Sequence, residues 1–443
     1  MTKLMNMYYS NSTYMDKLEE IIVEFHKEPL PRLFKRELSV PVDTDKVITI
    51  IGLRRVGKTY RLFQTIRELM DQGLEKKRLF YINFEDERIS DISVNDLARI
   101  IELYYKINPD AETLYLFLDE IQLIDGWERF VRRLTEKKEV RIFLTGSSSK
   151  LLSKEIATSL RGRTLSFNLF TLSFREFLHA KDFTPGSPLI ESERGALRRY
   201  LDEYLQSGGF PELLRYDRMV RLRTLQEYVD LIIYRDLVER YGIEKISALK
   251  FMIKSLIRNF ARELSVRKLH NYLQSAGVSL SKTKVYEYFS YLEDINFIFL
   301  LKKYGKGVRE VEGSIPKIYL IDLGFVTLHG LEDVGRRMEN VVAIELLRQK
   351  NYFNPLLEVF YWKDTYGREV DFVLAEGSEV TQLIQVCYDV TDPYTKEREL
   401  KSLIKASKEL DCSNLSVITW DYEGEEEFKG CKVGFVPLWK WLL

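Results

Sequence analysis

The sequence has almost no cysteine, no net charge and no long apolar run, and each shortage narrows what the chain can be. Three cysteines in 443 residues, Cys387, Cys412 and Cys431, form neither a disulfide framework nor a CxxC metal site. Lys and Arg number 67 against 67 Asp and Glu, so any electrostatic preference has to be local. No apolar stretch approaches the length of a membrane span, and the longest, Ile295–Leu301, is interrupted by Asn296. The first residues, MTKLMNMYYSNST, hold no apolar core of signal-peptide length. The expectation is a cytoplasmic protein of a reducing compartment with no membrane partner.

What is present is a charge-rich globular composition: 45% hydrophobic and 30% charged residues exclude a disordered or collagen-like chain. The length predicts two to four domains. Charge is unevenly placed. Lys250 to Arg309 holds 12 Lys and Arg against 4 Asp and Glu, whereas Glu310 to Leu443 holds 15 against 24. A basic module and an acidic module follow, the first suited to a polyanion and the second repelling it.

Residues 14–27 read as an amphipathic helix that the prolines at 29 and 31 stop. Apolar runs Val47–Ile51, Arg78–Phe84, Leu114–Leu118 and Val140–Leu144 then alternate with helix-like Thr59–Asp71, Val94–Ile107 and Trp127–Glu136. That alternation predicts a mostly parallel sheet covered by helices. The domain expectation is a helical segment over 1–30, a P-loop core over 31–172, a helical lid over 173–246, a winged helix over 247–312 and an α+β domain over 313–443. The fold class is multidomain α/β.

Gly52-Leu-Arg-Arg-Val-Gly-Lys58-Thr59 fits GxxxxGK[ST] and lies between an apolar run and a helix. Glycines let such a loop wrap backbone N–H groups around phosphates, and the helix N-terminus adds a favourable dipole. Lys58 would hold the β- and γ-phosphates and Thr59 would ligate Mg²⁺. Gly52, Arg55, Gly57, Lys58, Thr59 and Tyr60 are therefore candidates for contact with ATP. The run Leu114–Leu118 ends in Asp119-Glu120, 61 residues after Lys58. Ligands gather at the carboxyl ends of parallel strands, so Asp119 would share the pocket as a Mg²⁺ ligand and Glu120 would polarise the attacking water. Thr145 or Ser147, after the next run, is a candidate γ-phosphate sensor or else a helix cap. Glu85 and Asp86 could reach the Mg²⁺ shell or cap the following turn.

The ordered set GLRRVGKT, YINFEDERI, FLDEIQLIDGWERFVRRL, LTGSSSKLLS, SLRGRT and GGFPELL resembles the AAA-superfamily ATPases found widely in archaea and bacteria, whose C-terminal half carries a domain of unknown function. The resemblance runs from about residue 30 to about residue 390. It implies that Lys58 and Thr59 form the Walker A site, Asp119 and Glu120 the Walker B site, and Thr145 to Ser149 the sensor. It also implies a site at a boundary between subunits, with a homo-oligomer as partner. Arg161 and Arg163 are then candidates to neutralise charge on the transferred phosphoryl group.

Leu264–Ala276 and Lys282–Asp294 read as a helix–turn–helix with Ser281 as a cap, and Ile295–Tyr304 as a wing. Lys282, Lys284, Lys302 and Lys303 are candidates for contact with DNA; docking of a protein partner is the competing reading. Farther on, Glu345, Glu369 and Asp371 look like the carboxylates of a restriction-endonuclease-like fold. The position that needs Glu-x-Lys reads Gln385-Val-Cys387, which supplies neither a second carboxylate nor an ammonium. A degenerate domain is expected there. The leading function is Mg²⁺-dependent ATP hydrolysis coupled to conformational change on DNA. The alternatives are an ATP-gated switch for a protein partner and a metal-dependent nuclease.

Overall fold

The computed structural model of the chain describes residues 17–136, 139–146, 160, 162–305 and 307–443. They form two compact units, divided after Leu169.

The first unit is built on a parallel sheet of strands β1 (Val47–Ile51), β2 (Leu79–Asn83), β3 (Leu114–Asp119), β4 (Val140–Thr145) and β5 (Thr164–Asn168), in the order β2-β3-β4-β1-β5. Both faces of a parallel sheet are covered, so its strands read as apolar runs rather than alternations. All five residues of β1 are buried, and Phe117 of β3 stacks on Phe143 of β4 at 4.6 Å. Helices α1 (17–27), α2 (Lys58–Asp71), α3 (Leu97–Ile107) and α4 (Trp127–Leu134) accompany the sheet. Leu18 and Ile22 of α1 enter the same core as Phe80, Leu116 and Ile142. Strand β5 is an addition to the expected pattern: its TLSFN sequence is half exposed and lies at the sheet edge beside β1, so it shows no apolar run.

The second unit begins with helices α5 (Phe174–Ala180), α6 (Glu191–Ser207), α7 (Arg218–Leu231) and α8 (Ile246–Arg258). A reciprocal cap starts α5, with Glu176 N donating to Ser173 Oγ and Ser173 N donating to the Glu176 carboxylate. A small antiparallel sheet follows, made of β6 (Arg262–Glu263), β7 (Ile298–Leu301) and β8 (Lys317–Leu320), together with helices α9 (Val266–Ser275) and α10 (Lys282–Asp294). Its central strand β8 lies beyond residue 312, so this module runs past the boundary expected from the sequence. The remainder is a mixed six-stranded sheet of β9 (Leu357–Lys363), β10 (Glu369–Glu376), β11 (Glu379–Cys387), β12 (Leu415–Thr419), β13 (Gly424–Phe428) and β14 (Cys431–Pro437), with helices α11 (Val334–Tyr352) and α12 (Pro393–Leu410).

One buried carboxylate ties the second unit together. Asp322 accepts hydrogen bonds from Gly209 N at 2.7 Å and Gly324 N at 2.8 Å, and burial pushes its carboxyl up to about 6. Gly209 O in turn accepts from Leu172 N. The GGFPELL stretch is thus a packing joint between α6 and the chain after β8. Among the described residues no helix is long and apolar enough to cross a membrane.

Candidate nucleotide site

The loop after β1 closes because two glycines take conformations that other residues resist. Gly52 has φ +153°, and a β-carbon there would overlap the Leu169 carbonyl. Gly57 has φ +99° at the residue that caps α2. The buried Lys58 ammonium lies inside the loop, donating to the carbonyl oxygens of Gly52 and Leu53 at 3.2 Å. Arg36 braces the same loop from outside, its buried guanidinium donating to Val56 O at 2.8 Å. Gln64 of α2 locks that arginine in place by accepting from Arg36 N and donating to Arg36 O. Arg55 and Tyr60, two of the expected nucleotide contacts, are exposed on the loop and the first turn of α2, with Tyr60 meeting Phe63 edge-on.

Strand β3 delivers Asp119 to this loop. Its carboxylate is 1% exposed and receives the Thr145 hydroxyl on one oxygen and the Tyr81 hydroxyl on the other at 2.8 Å. The Thr59 hydroxyl of the loop also favours the charged form of this carboxylate. Burial and the neighbouring Glu120 raise the Asp119 carboxyl above its ordinary value against the opposing hydroxyls of Thr145, Thr59 and Tyr81. Two hard oxygen groups, Thr59 of the phosphate-type loop and Asp119 at the strand end, fit a Mg²⁺ ion that keeps several waters.

Glu120 sits at φ +54°, a left-handed conformation that costs a residue with a side chain of order 1–3 kcal/mol. Its N–H donates to Thr145 Oγ1 at 3.2 Å, and Gln122 donates its amide to the Glu120 carboxylate. Thr145 therefore links both acidic residues, through a hydroxyl that donates to one and accepts from the other. Glu85, beside Arg54 at 4.0 Å, is pushed up by burial and by Glu120. Asp86 takes the capping role, accepting from Arg88 N at 2.9 Å.

Arg163 lies at the opposite end of the sheet from the loop. Its carbonyl accepts from Val47 N, at the first residue of β1, and its guanidinium meets Thr135 and Glu136. Five residues of strand separate it from Gly52, about 16 Å at the usual rise, so a contact with nucleotide on its own chain is ruled out. Ser147 and Arg161 fall outside the described residues. Arg163→Ala should leave ATP turnover within about twofold of the parent, since exposed ion pairs are worth little. A tenfold fall would instead assign it to a neighbouring subunit's site.

Tyr81, Arg36 and Gln122 carry no motif that marks them. Tyr81 could be found only from register, since Asn83 of β2 pairs with Asp119 and so sets Tyr81 two residues back on the adjoining strand. Removing its hydroxyl leaves Asp119 with one donor fewer. Groups that support a metal ligand typically matter by 10–100-fold in metal affinity, so Tyr81→Phe is expected to raise the Mg²⁺ concentration for half-maximal turnover about tenfold. An unchanged Mg²⁺ titration would refute the bracing role.

The other candidates separate into distinct environments. On α10 Lys282 and Lys284 are exposed, and Lys284 pairs with Glu287 at 2.7 Å. Lys302 pairs with Glu312 at 2.6 Å, and Lys303 is half-buried and itself bridges to Tyr361 of β9. Glu345 does not join Glu369 and Asp371. It is buried against Arg348 and lies 3.3 Å from Arg175. The α11 carboxylate near Asp371 belongs to Glu339, six residues earlier and about 240° around the helix.

The profile of a family described as AAA domain matches residues 44–178. Two domains of unknown function follow, DUF8612 over 198–334 and DUF4143 over 334–441. An uncharacterized protein of Methanocaldococcus jannaschii is 39% identical over 98% of this chain and 97% of its own length. One from Haemophilus influenzae is 29% identical over 90% of this chain and 94% of its own. Among solved structures, a Walker-type ATPase of Pyrococcus abyssi matches with a TM-score of 0.39 and 14% identity, covering 72% of this chain and 95% of that one.

Proposed function

The chain belongs to the AAA-domain P-loop ATPases whose core is followed by these two domains of unknown function, and on that premise we propose that it is a Mg²⁺-dependent ATPase whose cycle changes conformation on DNA. The observation that supports the ATPase reading is that β3 ends in Asp119 and Glu120 at the same carboxyl edge of the parallel sheet from which the phosphate-type loop leaves β1. Lys58 leaves the loop carbonyls to hold the β- and γ-phosphates, an exchange of one set of oxygen acceptors for a more negative one. Mg²⁺, when bound, supplies charge neutralisation across the phosphate oxygens. Glu120 orients the attacking water and takes its proton, while Gln122 and Thr145 set where that carboxylate points.

The DNA part rests on the basic segment from Lys250 to Arg309, with α10 and the turn after β7 forming a winged-helix reader: helix in the groove, turn on the phosphates. Reversing Lys282, Lys284, Lys302 and Lys303 to Glu should weaken duplex binding and flatten the dependence of log K on log salt by about 0.9 per lost phosphate contact. A second reading has its own support: Lys284 and Lys302 already hold carboxylates, which suits docking to a protein surface. An unchanged salt slope in the reversed variant would favour that reading, in which ATP gates a protein partner.

A further inference from the structure

The acidic C-terminal module contains a centre that the nucleotide site does not use. Lys317, on the central strand of the small sheet, is 2% exposed. Its ammonium lies 2.9 Å from Glu339 of α11, 2.6 Å from Glu369 and 2.9 Å from Asp371, both of β10. An ammonium has three protons, and here each meets one carboxylate.

Each carboxylate also receives a second donor. Glu369 receives Lys363 on its other oxygen at 3.1 Å, Asp371 receives Val386 N at 3.0 Å, and Glu339 receives the buried Tyr319 hydroxyl at 2.8 Å. Lys363 continues to Glu263 of β6 at 2.8 Å, and Tyr361 donates to the same carboxylate. Gln385 accepts from Asp371 N and donates to Glu399, and burial pushes the Cys387 thiol up to about 11, so it stays neutral.

A nuclease-like fold implies a divalent cation among these carboxylates, and the donor set present here does not fit one. The oxygens such an ion would need at about 2.0–2.6 Å converge instead on a nitrogen. Among the described residues no three carboxylate, imidazole or thiol groups are placed to hold a metal ion. We infer that the Lys317 ammonium permanently occupies the cation position of this carboxylate centre, so that the centre is a metal-free joint fastening the small sheet to the six-stranded sheet. The lysine missing from β11 is thereby supplied from β8, by a residue that displaces the metal rather than assisting it.

Mn²⁺ binding to the full, nucleotide-free chain, read by electron paramagnetic resonance, tests this. Ions held at the Asp119 site are common to every variant. The parent and Asp371→Asn should bind Mn²⁺ equally, whereas Lys317→Met, with three carboxylates released, should bind about one further ion per chain that Lys317→Met/Asp371→Asn loses again. The inference is overturned if Asp371→Asn binds less Mn²⁺ than the parent, or if folded Lys317→Met gains no ion. Should circular dichroism show Lys317→Met unfolded, Glu369→Gln decides the matter: unchanged Mn²⁺ binding supports the inference, and reduced binding overturns it.

Discussion

Glu120→Gln is expected to bind ATP as the parent does and to hydrolyse it at least ~100-fold more slowly, because a general base typically contributes 10²–10⁴ in rate. The substitution is nearly isosteric, and it leaves the backbone bond from residue 120 to Thr145 in place. It also keeps an oxygen for Gln122, which now donates to the Glu120 carboxylate. Only the proton acceptor is lost. Lys58→Ala should differ in kind. Its ammonium lies inside the loop on the Gly52 and Leu53 carbonyls and is the group proposed to hold the phosphates, so nucleotide binding itself should weaken, read by equilibrium titration. Normal turnover in Glu120→Gln would transfer the base role to another residue, and Glu85, already in its electrostatic reach, would be the one to substitute next.

Gly208→Ala is expected to unfold the second unit, with a destabilisation above about 4 kcal/mol. Gly208 has φ +74° and ψ −170°, a region open essentially to glycine alone. A β-carbon there would overlap the Asp322 carboxylate, lie 2.6 Å from its Cγ and 2.8 Å from Gly324 N. Backbone cannot yield as a flexible side chain does, and Asp322 is held by two N–H groups it would have to release. Gly330→Ala is the control: φ is +63° and nothing lies within 4 Å of its β-carbon, so only the cost of the left-handed conformation, about 1–2 kcal/mol, is expected. Four of the five tryptophans lie beyond Leu169, and thermal unfolding by tryptophan fluorescence reads that unit. Equal midpoints for the two variants would remove Asp322 from its place as the joint.

The candidate nucleotide site is legible because its motifs are written contiguously. Val47 to Thr59 and Leu114 to Glu120 each carry a strand, its end and the reactive groups within one short stretch, and burial of a parallel sheet spells the strands as apolar runs. What stayed hidden is assembled from distant segments. Tyr81 reaches Asp119 through strand register, and Arg36 reaches Val56 from a stretch with neither helix nor strand. The C-terminal centre shows the limit most clearly. The β10 carboxylates could be read from Glu369-Val-Asp371, but which acid of α11 lies near them depends on the face that packs inward, and there the structure has Glu339 and not Glu345. Lys317 lies more than fifty residues before Asp371, on a strand of another sheet. The end of the sheet at which Arg163 lies was hidden for a related reason: the length of chain between β4 and β5 does not say where it returns.

Phosphate release from ATP by the parent chain, with Mg²⁺ and with or without single-stranded, duplex or branched DNA, is the most direct test of the central claim. The expected result is Mg²⁺-dependent release that at least one DNA form accelerates and that Glu120→Gln abolishes. Release that is the same with every DNA and without any would contradict the coupling of this ATPase to DNA.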